Sequence, residues 1–95
     1  MTKVVFITKA GVGLDTEELM REFFEKNLKW RLLELLKVIL YQEFSVISVE
    51  TRKSGPYDPS PKIIINLDGE INEVALKFVE CWLRIEHPDC LKELL

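Results

Sequence analysis

The stretch from residue 17 to residue 42 constrains the fold most, because its apolar side chains do not stay on one face of a helix. Two sets of apolar residues follow helical spacing but point more than a quarter turn apart, at about 100° per residue. The first set is Leu19, Met20, Phe23 and Phe24, and the second is Leu28, Leu32, Leu35, Leu36 and Ile39. We therefore expect either a break near Lys26 and Asn27 or a second half that is buried on two sides.

The apolar excess in the second half of this stretch favours a partner, because large exposed apolar patches on proteins mark interaction surfaces. The predicted interface consists of Leu32, Leu36, Ile39 and Leu40. A homodimer with two-fold symmetry is the simplest assembly, although another protein could fill the same place. Trp30 belongs to the same phase-shifted region, so we expect it near this interface.

The rest of the chain reads as a small α+β protein. Val-rich and Ile-rich runs predict strands, and a capping pattern of Asp15 with Glu18 predicts the start of the first helix. His87 precedes Pro88, which predicts the end of the last helix and then a short turn. The predicted strands are 3–9, 44–52 and 62–68, and the predicted last helix is 70–87.

The resulting order is β-α(α)-β-β-α in one domain, residues 1–95. We expect a two-layer α+β sandwich, a small three-stranded sheet with helices mainly on one face. This order resembles an incomplete ferredoxin-like layout. The first strand shows no alternation, which predicts cover on both faces or neighbours on both sides. The predicted core is an aromatic cluster of Phe6, Phe23, Phe78 and Trp82.

Composition limits the function classes. The net charge of −3 gives no overall attraction to nucleic acid or anionic membranes. Two cysteines are too few for a disulfide framework, and no apolar run is long enough to span a membrane. The N-terminus lacks a signal-peptide pattern, so we expect a cytoplasmic protein. The bias toward Glu and Lys is typical of hyperthermophile proteomes.

A proline-rich loop carries the alternative function. Arg52, Lys53 and Lys62 flank it, and Tyr57 lies inside it. Cations that hold a phosphate backbone, with a ring that stacks on a base, would bind nucleic acid or another anionic ligand. A solvated loop whose cations discourage strand pairing is the competing interpretation.

The remaining motifs predict no catalytic residues, no metal and no cofactor. Cys81, His87, Asp89 and Cys90 do not follow the spacing of a structural zinc site. The segment 11–13, Gly-Val-Gly, lacks the third glycine of a dinucleotide fingerprint, and acidic residues follow it. An enzyme therefore ranks third, behind a self-associating interaction protein and an anionic-ligand or nucleic-acid binder.

Overall fold

The computed structural model describes residues 2–8, 13–53 and 60–94. Along the chain it contains β1 (Thr2–Thr8), α1 (Glu17–Phe23), a π-helical turn (Phe24–Leu28), α2 (Lys29–Leu40), β2 (Ser45–Arg52), β3 (Lys62–Asp68), α3 (Glu73–Glu86) and β4 (Cys90–Leu94). The strands form one sheet in the order β2-β3-β1-β4, and each neighbouring pair is antiparallel.

The α+β class and the β-α(α)-β-β-α order are confirmed. The structure adds β4 where the sequence predicted only a short turn after Pro88. With β4 paired to β1, the chain has the β-α-β-β-α-β order and the 4-1-3-2 antiparallel sheet of the ferredoxin-like topology. The layout that the sequence indicated as incomplete is therefore complete.

Strand β1 is flanked on both sides, which explains its unbroken apolar run. Its helix-facing residues Val4 and Phe6 belong to the main core. Val5 points to the other face, which we call the open face, and lies opposite Ile64 of β3. Both of these side chains are buried although they are not part of the core cluster under the helices. A central strand needs apolar side chains on both faces, as the missing alternation predicted.

Helix α1, the π-helical turn and α2 follow one another without a gap, and we call them together the first helical unit. This unit buries a single row of five side chains spaced by four residues: Met20, Phe24, Leu28, Leu32 and Leu36. In a regular α-helix each step of four residues drifts by about 40°, so the row would leave the core. The π-helical turn carries more residues per turn and rotates the later side chains back toward the sheet. The turn lies where the break was expected, and the helix continues through it.

The π-helical turn has its own hydrogen bonds. The backbone N–H of Lys29 donates to the carbonyl of Phe24, five residues earlier. Asn27 Nδ2 donates to the carbonyl oxygen of Phe23 at 3.2 Å. These hydrogen bonds satisfy polar groups of the wider turn, so the helix continues through it without a break.

The start of this helix is one residue later than the capping pattern predicted. Thr16 is the N-cap, and its hydroxyl oxygen accepts from the backbone N–H of Leu19 at 3.1 Å. The prediction that Asp15 and Glu18 form a capping box is wrong. A threonine hydroxyl satisfies the same unpaired N–H groups of a first turn as an aspartate carboxylate.

The predicted aromatic cluster is partly correct. Phe6 and Trp82 are buried and meet edge to face, with ring centroids 6.4 Å apart, while Phe23 is half-buried against the core. Phe78 is 53% exposed, so its assignment to the core is wrong. The buried side of α3 consists of Ala75, Val79, Trp82 and Leu83, which rotates Phe78 out of the core.

Candidate functional site

Helix α3 exposes an apolar row beside its buried side. We call this row the α3 surface; its members are Val74, Phe78, Cys81 and Ile85. Val74 is 58% exposed and Ile85 is 80% exposed. At helical geometry the four residues lie within about 60° of one another and about a third of a turn from the buried side. Their spacing of four, three and four residues is that of a coiled-coil seam.

The rotation of α3 is held at both ends. At the N-terminus the Asn72 side-chain oxygen accepts from the backbone N–H of Ala75 at 2.9 Å. At the C-terminus Trp82 Nε1 donates to Glu86 Oε2 at 2.8 Å, and the Trp82 ring packs against Phe6 and His87. Because the cap and the indole are both fixed, the exposure of the α3 surface follows from the packing of the opposite side.

A charged row runs beside the α3 surface. It consists of Glu73, Lys77, Glu80 and Arg84, all exposed, with charges that alternate in sign. Arg84 Nη2 lies 3.1 Å from Glu80 Oε1. Because an ion pair this exposed adds little to the stability of the fold, its two side chains can exchange it for contacts with another molecule. The site thus combines an apolar seam with an ordered charge pattern.

The four residues predicted to form an interface on the first helical unit lie in or against the core. Leu32 and Leu36 are fully buried in the core of the chain itself, and Ile39 and Leu40 are half-buried against that core. Leu32 and Leu36 therefore offer no accessible surface to a partner in this fold. Their apolar character is explained by the row that the π-helical turn aligns.

Three other large apolar side chains are exposed along or just after α2. Trp30 is 69% exposed, and the Arg31 guanidinium lies over its ring at 5.3 Å from the centroid. Val38 and Tyr41 are also exposed, and Tyr41 ends the helix in the left-handed region with φ of 53°. Trp30 is thus on the surface, as expected, but it lies apart from Leu32 and Leu36.

A cavity of about 320 Å³ opens beside Trp30 and is lined by Trp30, Leu33, Glu34, Lys37, Glu43 and Phe44. Lys37 Nζ lies 3.1 Å from Glu43 Oε1, and Arg31 Nη1 lies 3.4 Å from Glu34 Oε2. Each carboxylate of the lining therefore has a cationic partner. The cavity therefore offers apolar contacts, and the carboxylates beside it are already paired with cations. Such pairing is not the arrangement of a general acid or base.

The basic loop is only partly described, because Tyr57 lies outside the described residues. Arg52 and Lys62 are directly opposed between β2 and β3, so their side chains share the open face of the sheet. Lys53 is half-buried and its Nζ donates to the backbone carbonyl of Asp15. The three predicted cations therefore do not form one group: Lys53 contacts Asp15, whereas Arg52 and Lys62 share a face of the sheet.

The open face also bears on nucleic-acid binding. RNA-recognition domains with a four-stranded sheet stack bases on aromatic side chains of this face. In β1 and β3, which are described in full, the open-face residues are Lys3, Val5, Ile7, Lys62, Ile64, Asn66 and Asp68. These strands therefore provide no ring for stacking on that face.

The two cysteines have different environments. Cys81 is exposed on α3, and Cys90 is buried in the core. Burial raises the pKa of the Cys90 thiol to about 11, with a smaller contribution from the charge of Asp89. Within the described residues, no three His, Cys, Asp or Glu side chains converge to hold a metal ion. The glycine segment 11–13 lies mostly outside the described residues.

None of the helices in the described parts of the chain combines the length and apolar character needed to cross a bilayer. No known protein family matches the chain, and no curated protein matches it. The functional argument therefore depends on the surfaces of the molecule itself. In the sequence, Val74, Phe78, Cys81 and Ile85 follow helical spacing within one apolar stripe, and the structure places them on the exposed side of α3.

Proposed function

We propose that the chain is a small protein–protein interaction module that self-associates through an apolar helix. The observation that carries the proposal is the exposed row of Val74, Phe78, Cys81 and Ile85 on a helix whose opposite side is firmly packed. Contiguous apolar patches of this kind mark interaction surfaces more often than isolated exposed apolar residues do.

Helix α3 fits this role better than α2. In the interface predicted on α2, Leu32 and Leu36 are buried in the core and Ile39 and Leu40 are half-buried against it, so this set offers a partner less surface than the α3 row does. The four residues of the α3 surface are exposed and are not members of the core cluster. The proposed interface of the homodimer accordingly moves from α2 to α3.

Light scattering at tens of micromolar tests the proposal. We expect about twice the monomer mass of 11.1 kDa for the wild type and the monomer mass for Phe78→Ser. Ile47→Ser is the matched control, because Ile47 on β2 is 54% exposed and Phe78 is 53% exposed. A monomeric wild type rejects self-association. A dimer that Phe78→Ser leaves intact rejects α3 as the surface.

Anionic-ligand binding remains the second candidate, supported by the cross-strand pairing of Arg52 with Lys62. The two cationic side chains share one face of the sheet, where a phosphate group of one ligand could contact both. We expect salt-dependent binding of a labelled single-stranded oligonucleotide, lost in the Arg52→Ser/Lys62→Ser double variant. If the wild type does not bind at low salt, this candidate is rejected.

We further propose a cytoplasmic location. The supporting observation is that both cysteines are free thiols, which is the usual state in a reducing compartment. Fractionation of the cells tests this: the protein should be recovered in the cytoplasmic fraction, and recovery in the secreted or membrane fraction would reject the proposal.

A further inference from the structure

We infer that the occupant of the α3 surface is a second copy of this chain, with its own α3 antiparallel to the first across a two-fold axis. The inference rests on the proposed self-association and adds the partner, the orientation and the register. Two independent rows on the same helix support it, one apolar and one charged.

The apolar row reads the same in both directions. Its spacing of four, three and four residues is unchanged when the helix is reversed. In an antiparallel pair, Val74 of one copy meets Ile85 of the other, and Phe78 meets Cys81. Large side chains thus face smaller ones in each of the layers, which suits close packing between two helices.

The charged row has the same spacing, and its signs alternate. In the antiparallel pair, Glu73 of one copy lies near Arg84 of the other, and Lys77 lies near Glu80. In a parallel pair with two-fold symmetry, the two charged rows would lie on opposite sides of the interface and would not meet. The charge pattern is therefore complementary to itself in only the antiparallel orientation.

The two rows also agree on the position of the axis. The centre of the apolar row falls between residues 79 and 80, and the centre of the charged row falls between residues 78 and 79. Moving the two-fold axis by one residue shifts each pair of partner positions by two residues, or about 3 Å. Lys, Arg and Glu side chains adapt to such an offset, so one two-fold axis satisfies both rows.

Charge reversal with mixing tests this register. Lys77→Glu places two glutamates at each 77–80 contact of its own dimer, and Glu80→Lys places two lysines there. We expect each variant alone to dimerise at least about tenfold more weakly than the wild type, since like charges across an interface are costly. An equimolar mixture restores opposite charges at both contacts, so the mixed dimer should approach wild-type affinity.

A control pair separates this register from an effect of total charge. Glu22→Lys on α1 and Lys26→Glu in the π-helical turn change the net charge by the same amounts, and they also alter an exposed ion pair four residues apart. We expect no change in dimer affinity for either variant or for their mixture. Sedimentation velocity gives the dissociation constants, and circular dichroism at matched concentration checks that every variant is folded.

The outcomes are distinguishable. A monomeric wild type overturns the proposed function and this inference together. A wild-type dimer that Phe78→Ser disrupts, with no gain on mixing Lys77→Glu with Glu80→Lys, keeps the proposed function and overturns the antiparallel register. A gain on mixing that is equally large for the control pair at Glu22 and Lys26 also overturns the register, because total charge then explains it.

Discussion

The first helical unit and α3 both carry more apolar residues than one buried face of a helix can hold, and the two helices place these residues differently. In the first unit the long row from Met20 to Leu36 is buried, because a π-helical turn keeps it directed at the sheet, although Trp30 and Val38 are exposed. In α3 Ala75, Val79, Trp82 and Leu83 fill the available contact and leave Phe78 outside. The first unit thus keeps one continuous row in the core, whereas α3 divides its apolar side chains between the core and the surface.

The difference shows that helix rotation is decided by packing more than by side-chain size. Trp82 packs against Phe6 of β1, and this contact orients α3 with Phe78 outside the core, while a hydrogen bond to Glu86 holds the indole in place. The first unit adjusts its backbone instead. A helix that changes its own periodicity can bury a row that a regular helix would lose.

The largest expected effect comes from changing the number of residues in the π-helical turn. Inserting an alanine after Asn27 rotates α2 by about 100° relative to α1 and removes Leu32 and Leu36 from the core. We expect this variant to be unfolded, as judged by the loss of a cooperative thermal transition.

Deleting Asn27 is the matched change in the opposite direction. It converts the turn to regular α-helix with spacings of four, three, four and four residues for the buried row, which still share one face. We expect this variant to fold with a cooperative transition. If both changes unfold the protein equally, the role we give to the π-helical turn is wrong.

Truncation in the buried row should have the next largest effect. Leu36→Ala removes a fully buried side chain and should lower the free energy of unfolding by about 2–5 kcal/mol. Val38→Ala lies two residues away and is exposed, so it should change that free energy by less than about 0.5 kcal/mol. Urea unfolding compares the two. Equal losses would place α2 in a different rotation.

Much of the fold could be predicted from the sequence. The strands β1, β2 and β3 and the extent of α3 follow from apolar runs, a proline-rich loop and the proline after His87. Strand β4 could not be predicted, because 90–94 is a short mixed run that becomes a strand by pairing with β1. Its stability comes from a distant partner, which local pattern does not reveal.

The candidate site was harder to predict for a related reason. The apolar stripe of α3 is wide, and the sequence alone does not say which part of it faces the sheet. Phe78 was assigned to the core because it lies on this stripe, whereas the adjacent Val79 is the residue that the structure buries. The same limit applied to Leu32 and Leu36, whose burial depends on a π-helical turn that periodicity indicated only as a discontinuity.

The cysteines provide a smaller, pH-dependent comparison of core and surface. Burial holds the pKa of the Cys90 thiol at about 11, above that of an exposed thiol. The buried thiol therefore contributes its full stabilisation at pH values below the pKa that it has in the unfolded chain. This contribution declines as the pH rises toward 11. We expect the stability of the wild type relative to Cys90→Ala to fall between pH 8 and pH 10.5, measured by urea unfolding. Cys81→Ser should show no such trend relative to the wild type.

The most direct test of the central claim, that α3 is packed through one side and displays the other, compares two adjacent residues. Phe78→Ala and Val79→Ala are unfolded with urea at a concentration low enough for the wild type to be monomeric. We predict a change below about 0.5 kcal/mol for Phe78→Ala, because the side chain is half exposed and alanine favours helix. We predict a loss of about 1–3 kcal/mol for Val79→Ala, whose side chain is 1% exposed. A loss of about 3–5 kcal/mol for Phe78→Ala with little change for Val79→Ala would contradict the account, because it would place Phe78 in the core.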